Sequence, residues 1–257
     1  HRFADSGEFI DAIRVTSNLG CGYRHWTAAG EFWATHLEQV GPDLRDSEAW
    51  FIRHRFDGDE FEVRDTIRGP EPPEPPRVRW RDDSGRARVT ATIPFWPRAS
   101  YRLTRAGTFL VTAGDGSYAL TETSPEGDTL RIIRRDHTPI PLSPEAHAGA
   151  IEEFRRPDYT PDDAGWEGRI PDIFPPLEWL YLADDGSIWV RKQVGHERFG
   201  LDVFRSDGVY LGEVEVPESF HGMRLHHVTG DALWGVVQDD LEVSYVVRMR
   251  VERPSGA

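Results

Sequence analysis

The chain has 257 residues, and its 24 glycines and 19 prolines are spread between short alternating segments, which is the punctuation of one repetitive all-β domain and excludes a disordered tract. A formal net charge of −14 repels a phosphate backbone or an anionic membrane surface, so nucleic acid is excluded as a main partner, and no apolar run reaches the roughly 18 to 20 residues of a membrane span. Cys21 is the only cysteine, which excludes an internal disulfide, a cysteine zinc site and a CxxC redox pair, and leaves the compartment open.

In chain order, Arg2-Phe3 through Gly7-Glu8-Phe9-Ile10 matches the outer half of a β-propeller blade, expected over 1–15. A strand, a turn ending in or near glycine and a second strand opening on a bulky apolar residue then recur four times: at 23–33 around Gly30, 101–110 around Gly107, 179–189 around Gly186 and 225–234 around Gly230. A second hairpin follows three of these, around Asp57-Gly58, Glu126-Gly127 and Asp207-Gly208. Two consecutive hairpins make a four-stranded antiparallel blade. The expected blades span 20–69, 86–135 and 175–217, with a last, incomplete one at 223–253. The repeat is about 80 residues, longer than the roughly 40 to 50 of compact propeller repeats, and the surplus lies in two insertions. The Pro-rich run 69–76 reads as a stiff connector, followed by a polar strand at 86–93. In the second insertion, 136–174, Ser143-Pro144-Glu145 supplies a hydroxyl N-cap, a proline at the first helical position and an acid at the positive end of the dipole. That start predicts one short helix over 144–155, ended by Pro157.

The expected fold is therefore an all-β propeller of four-stranded blades. The final blade lacks an outermost strand, which a propeller commonly recruits from the other terminus. With His1 not a natural start residue, the segment is expected to be roughly the C-terminal four blades of a larger ring.

These motifs resemble bacterial exported six-bladed β-propeller proteins related to the NHL-repeat class, mostly without assigned function. The resemblance rests on Arg2-Phe3 to Phe9-Ile10, on Pro94-Phe95 leading into 101–118, on Arg131-Ile132-Ile133-Arg134-Arg135 before Pro139-Ile140-Pro141, and on Asp185-Gly186-Ser187-Ile188-Trp189-Val190 continuing to Phe204, Asp207-Gly208 and Gly212. It implies an extracytoplasmic location (periplasmic, secreted or lipid-anchored), with an export signal and about two further blades upstream.

Candidate site residues follow from where side chains meet in a closed ring. Asp184-Asp185-Gly186, Asp57-Gly58-Asp59-Glu60 and Asp239-Asp240 offer carboxylates to a divalent cation such as calcium, but none has the alternating pattern of a calcium loop, and Asp-Gly is ordinary turn composition. No cofactor and no metal ligand set is assigned. On a regular strand His226 and His227 point to opposite faces. His25 and His226, from inner strands of different blades, are the histidines placed to face a central channel. Trp26, Trp96, Trp166 and Trp179 near loop mouths, with Tyr101, have the surfaces that stack on a sugar or peptide, and packing between blades competes for the same tryptophans. Cys21, Ser17 and Ser100 lack a nucleophile motif. Lys192 is the only lysine among arginines, a bias attributed to codon usage.

The reading favoured by these residues is a non-catalytic recognition or scaffold domain for a protein, peptide or carbohydrate, binding through loops at 69–97 and 134–176 or at the channel mouth. The alternative is a metal-assisted lactonase or lyase, which requires at least three convergent ligands.

Overall fold

Among its described residues the computed structural model is all-β, with several antiparallel sheets and one α-helix. It describes residues 2–3, 9–11, 24–26, 31–39, 47–56, 61–71, 73–195, 198–239 and 241–252; side chains are described for 31–35, 50–55, 62–71 and, within those limits, onward. Cys21, Ser17, the turn glycine Gly30 and the Asp57 to Glu60 turn lie outside the described residues. The chain divides into two compact units, one of His1–Glu71, Arg105–Phe109 and Ser124–Asp128, the other of Pro72–Thr104, Leu110–Thr123 and Thr129–Ala257.

In the first unit, β1 (Arg2–Phe3) and β2 (Phe9–Asp11) form a hairpin. Strands β3 (Arg24–Trp26), β4 (Glu31–Gln39), β5 (Ser47–Phe56) and β6 (Phe61–Arg68) pair in sequence order into a four-stranded antiparallel sheet. Phe32, Trp33, Ala34 and Phe51 are buried in it. The cross-strand pair Phe32 and His54 stacks at 4.9 Å with the rings 15° apart, and burial lowers the His54 pKa.

The second unit contains β7 (Arg77–Arg81), β8 (Ala87–Thr92), β9 (Tyr101–Leu103), β10 (Phe109–Thr112, whose first residue falls in the first unit), β11 (Ala119–Thr123), β12 (Thr129–Arg134), α1 (Pro144–Phe154) and β13 (Thr160–Pro161). It continues with β14 (Trp179–Leu182), β15 (Ile188–Gly195), β16 (Arg198–Phe204), β17 (Tyr210–Glu215), β18 (Arg224–Val228), β19 (Ala232–Gln238) and β20 (Ser244–Arg250). Strands β9 to β12 and β14 to β17 form two four-stranded sheets in sequence order, and β18 to β20 form a three-stranded one.

The two insertions differ from the sequence expectation in an informative way. The strand expected at 86–93 forms as β8, but its partner is β7, and both belong to a separate sheet ordered β13-β7-β8 and not to the sheet of β9 to β12. In β7 the outward Arg77 and Arg79 mask a period-two strand whose inward residues, Val78 and Trp80, are buried. Thr160 and Pro161 pair with Arg81 and Trp80, so the second insertion completes the sheet of the first. The helix α1 starts as its sequence dictates, with Ala146 N donating to Ser143 Oγ at 3.1 Å and Pro144 in the first turn. Its Ala146, Ala150 and Phe154 face inward, and Trp80 meets Phe154 and Trp166 edge-on at 6.0 and 5.9 Å. Both insertions thus share one small core of Val78, Trp80, Ile93, Phe154, Trp166 and Ile170.

The sheet of β14 to β17 is apolar on both faces, because alternate residues of its central strands feed different cores. Trp189, Phe199, Leu201 and Val203 join Leu225, Val228 and Leu233 of the β18 to β20 sheet. Leu180, Ile188, Val190 and Phe204 join Leu110, Tyr118, Leu120 and Ile133 of the β9 to β12 sheet. At about 1.5–3 kcal/mol for each fully buried large side chain, these two layers are the principal stabilisation of the unit. At the strand edges β14 lies beside β9 and beside β18, so the first strands of three successive sheets are neighbours.

Candidate functional site

The neighbouring first strands carry a candidate surface site. Arg102 of β9 is 5% exposed, and its guanidinium sits 4.4 Å from the ring centroid of Trp179, the first residue of β14. Burial lowers the Arg102 pKa to about 10, still a cation at neutral pH, against an opposing effect of Tyr181. Trp179 itself remains 44% exposed, so an indole face is available to a ligand while the buried cation is in contact with the same ring. Beside it, Glu178 Oε2 accepts from Arg191 Nε at 2.9 Å, and the Arg191 guanidinium lies 4.0 Å over Phe199. Tyr101 is half-buried on β9, and burial raises its pKa and that of Tyr181, so both phenols stay neutral hydrogen-bonding groups. An exposed indole backed by a buried cation suits a sugar ring or a peptide side chain.

Of the residues singled out from sequence, Tyr101 and Trp179 are thus on adjacent strands, and Arg102, against the Trp179 ring, is the residue missed. Trp96 is elsewhere: it is partly buried against the core shared by the two insertions. His25 and Trp26 lie on β3, with backbones opposite Trp33 and Phe32, and their side chains are outside the described residues, as is any pairing of His25 with His226. His226 is exposed on β18 and borders a cleft of that sheet. The Asp184-Asp185-Gly186 carboxylates serve a turn: Asp185 Oδ1 accepts from Ser187 N at 2.9 Å and Ser187 Oγ at 2.6 Å. Among the described residues no three His, Cys, Asp or Glu side chains gather in a group able to hold a metal ion, and no helix is long and apolar enough to cross a membrane.

A second constellation, absent from the sequence expectations, lies between the sheets of β9 to β12 and β14 to β17. Asp202, with no exposed surface, accepts from Tyr118 Oη at 2.6 Å, from Arg135, and from Tyr210 Oη at 3.2 Å, and pairs with Lys192 Nζ at 3.0 Å. Lys192 also donates to Glu213 at 2.7 Å, so two cations meet two carboxylates. Burial, then the hydrogen bond to Asp202, raises the Tyr118 pKa far above the usual phenol range. Burial, reinforced by Lys192 and Arg135, lowers that of His137 beside it. With every charge matched and Asp202 enclosed, this cluster acts as a pin between sheets. Two signals mark it in the sequence: the lone lysine, and an acid at an inward position of the otherwise apolar Phe199-Gly200-Leu201-Asp202-Val203-Phe204.

No protein-family profile and no curated protein matches the chain. Among solved structures, the chain is similar to a crystal structure of a protein from Lactobacillus plantarum at 12% identity and a TM-score of 0.32, over 89% of this chain and 70% of that one.

Proposed function

We propose that this chain is part of a β-propeller that recognises a protein, peptide or carbohydrate without transforming it. The observation that carries the proposal is the placement of β9, β14 and β18 side by side while their sheets cover one another's faces, as a radial stack of blades requires. In this proposal the expected blade divisions, six-bladed closure and extracytoplasmic location belong to the same reading and rest on the sequence motifs. Ligand is held on the exposed indole of Trp179, which the buried Arg102 guanidinium backs. The metal-assisted lactonase reading needs three convergent ligands and draws no support from the described side chains.

The test is to probe peptide and glycan arrays with the labelled chain and its Trp179→Ala variant. Retention of a peptide or glycan that disappears with Trp179→Ala supports the proposal. Signals indifferent to Trp179→Ala, or chemical turnover of a retained compound, overturn it.

A further inference from the structure

On the sheet of β18 to β20 a cleft of about 450 Å³ is bordered by Ser219, Arg224, His226, Val236, Gln238 and Ser244. The ladder of that sheet explains the grouping. Arg224 stands opposite Val236 and Gln238 opposite Ser244, which sets their side chains along one face. Between Leu225 and His227 the pairing with β19 shifts, and His226 faces no residue of that strand. A regular strand would send His226 and His227 to opposite faces and cover one of them. Across the bulge both are exposed: His227 lies 3.9 Å from Asp184, and His226 joins Arg224 at the cleft. A bulge forfeits ladder bonding and re-aims a side chain, and here it turns His227 outward, while Arg224 and His226, two residues apart, share a face by ordinary alternation. The short 3₁₀ turn Glu218–Phe220 adds the Ser219 hydroxyl.

The chemistry of this lining is selective. The chain carries a net charge of −14, yet among the described residues no carboxylate borders the cleft and Arg224 makes no ion pair. A guanidinium, an imidazole, two hydroxyls and a carboxamide are complementary to an anion that also bears hydroxyl groups. The volume falls within the roughly 300–1,000 Å³ of small-molecule sites.

We propose that this cleft binds a small polyhydroxylated carboxylate of the sugar-acid class, with the carboxylate between Arg224 and His226 and the hydroxyls on Ser219, Gln238 and Ser244. It stands apart from the recognition assigned to Trp179, and neither depends on the other.

Isothermal titration calorimetry of the whole chain with glucuronate, glucose and acetate tests it. The expected result is saturable glucuronate binding, tighter than that of glucose or acetate, weakened by roughly tenfold or more in Arg224→Gln, also weakened in Ser244→Ala, and unchanged in Trp179→Ala. Arg224 is exposed, so its replacement leaves the fold in place. Three results overturn the proposal: no glucuronate binding up to about 10 mM, glucose or acetate binding as tightly as glucuronate, or an affinity that Arg224→Gln leaves unchanged.

Discussion

Lys192 holds its Nζ 3.0 Å from Oδ1 of Asp202, a carboxylate with no exposed surface. Removing one partner of a buried pair costs about 3–5 kcal/mol because it strands the other charge. Asp202→Ala belongs at the low end, about 3 kcal/mol, since Lys192 keeps Glu213 and Arg135 remains partly exposed. Urea unfolding measures the loss; a change below about 1 kcal/mol would mean that the pair behaves as a surface ion pair.

Tyr118→Phe removes one donor, the 2.6 Å bond to Asp202, and keeps the ring packed in its layer. A hydrogen bond to a charged acceptor contributes about 1.5–3 kcal/mol, and the remaining donors to Asp202 place the expected loss near about 1.5. Tyr210→Phe, with its 3.2 Å contact and its half-exposed ring, loses less. The reverse order in matched urea curves would refute the assignment of Tyr118 as the principal phenolic donor.

Asp82 closes the turn between β7 and β8, and its pKa is lowered to about 2, first by the Ser84 hydroxyl and then by Arg88. A folded pKa below the unfolded value of 3.8 means that the turn's contribution is complete above that value and is lost as pH falls through about 2. Asp207 behaves alike, lowered to about 2 first by Arg205 and then by Val209 N. Carboxyl chemical shifts followed by NMR during acidification should give midpoints near these values, and Ser84→Ala should raise the Asp82 midpoint alone.

Gly208 has φ of +91°, and a methyl group there would lie 2.8 Å from Cγ1 of Ile133. Gly208→Ala therefore combines a backbone conformation that L-residues disfavour with a clash against a buried side chain of the neighbouring sheet, and should cost about 1–3 kcal/mol. Gly127→Ala, at φ of +95° with open space around it, shows the backbone effect alone. Equal destabilisation of the two variants in thermal melts would remove the contact with Ile133 from the explanation.

What the sequence reveals is local. The helix at Ser143-Pro144 and the strands flanking Gly186 and Gly208 are legible because alternation, caps and turn glycines act within a few residues. The β13-β7-β8 sheet is not: Thr160 and Pro161 are too short to signal a strand, and their partners Arg81 and Trp80 lie in a distant, arginine-masked segment. The acid at Asp202 stands out in its apolar strand, but its partners are illegible for the same reason, since Tyr118 and Arg135 reach it across separations of 84 and 67 residues. Trp179 could be chosen for its exposed aromatic character, but the cation against its ring follows only from strand adjacency.

The sheet of β14 to β17 turns neither face of its central strands, β15 and β16, toward water. It is therefore a shared wall, and taking away either neighbour would uncover leucine, valine and phenylalanine that nothing polar can replace. Folding of these three sheets should be cooperative. A protease nick in the stretch between β17 and β18 should leave two pieces that still sediment as one particle, separating only when denaturant dissolves the whole assembly.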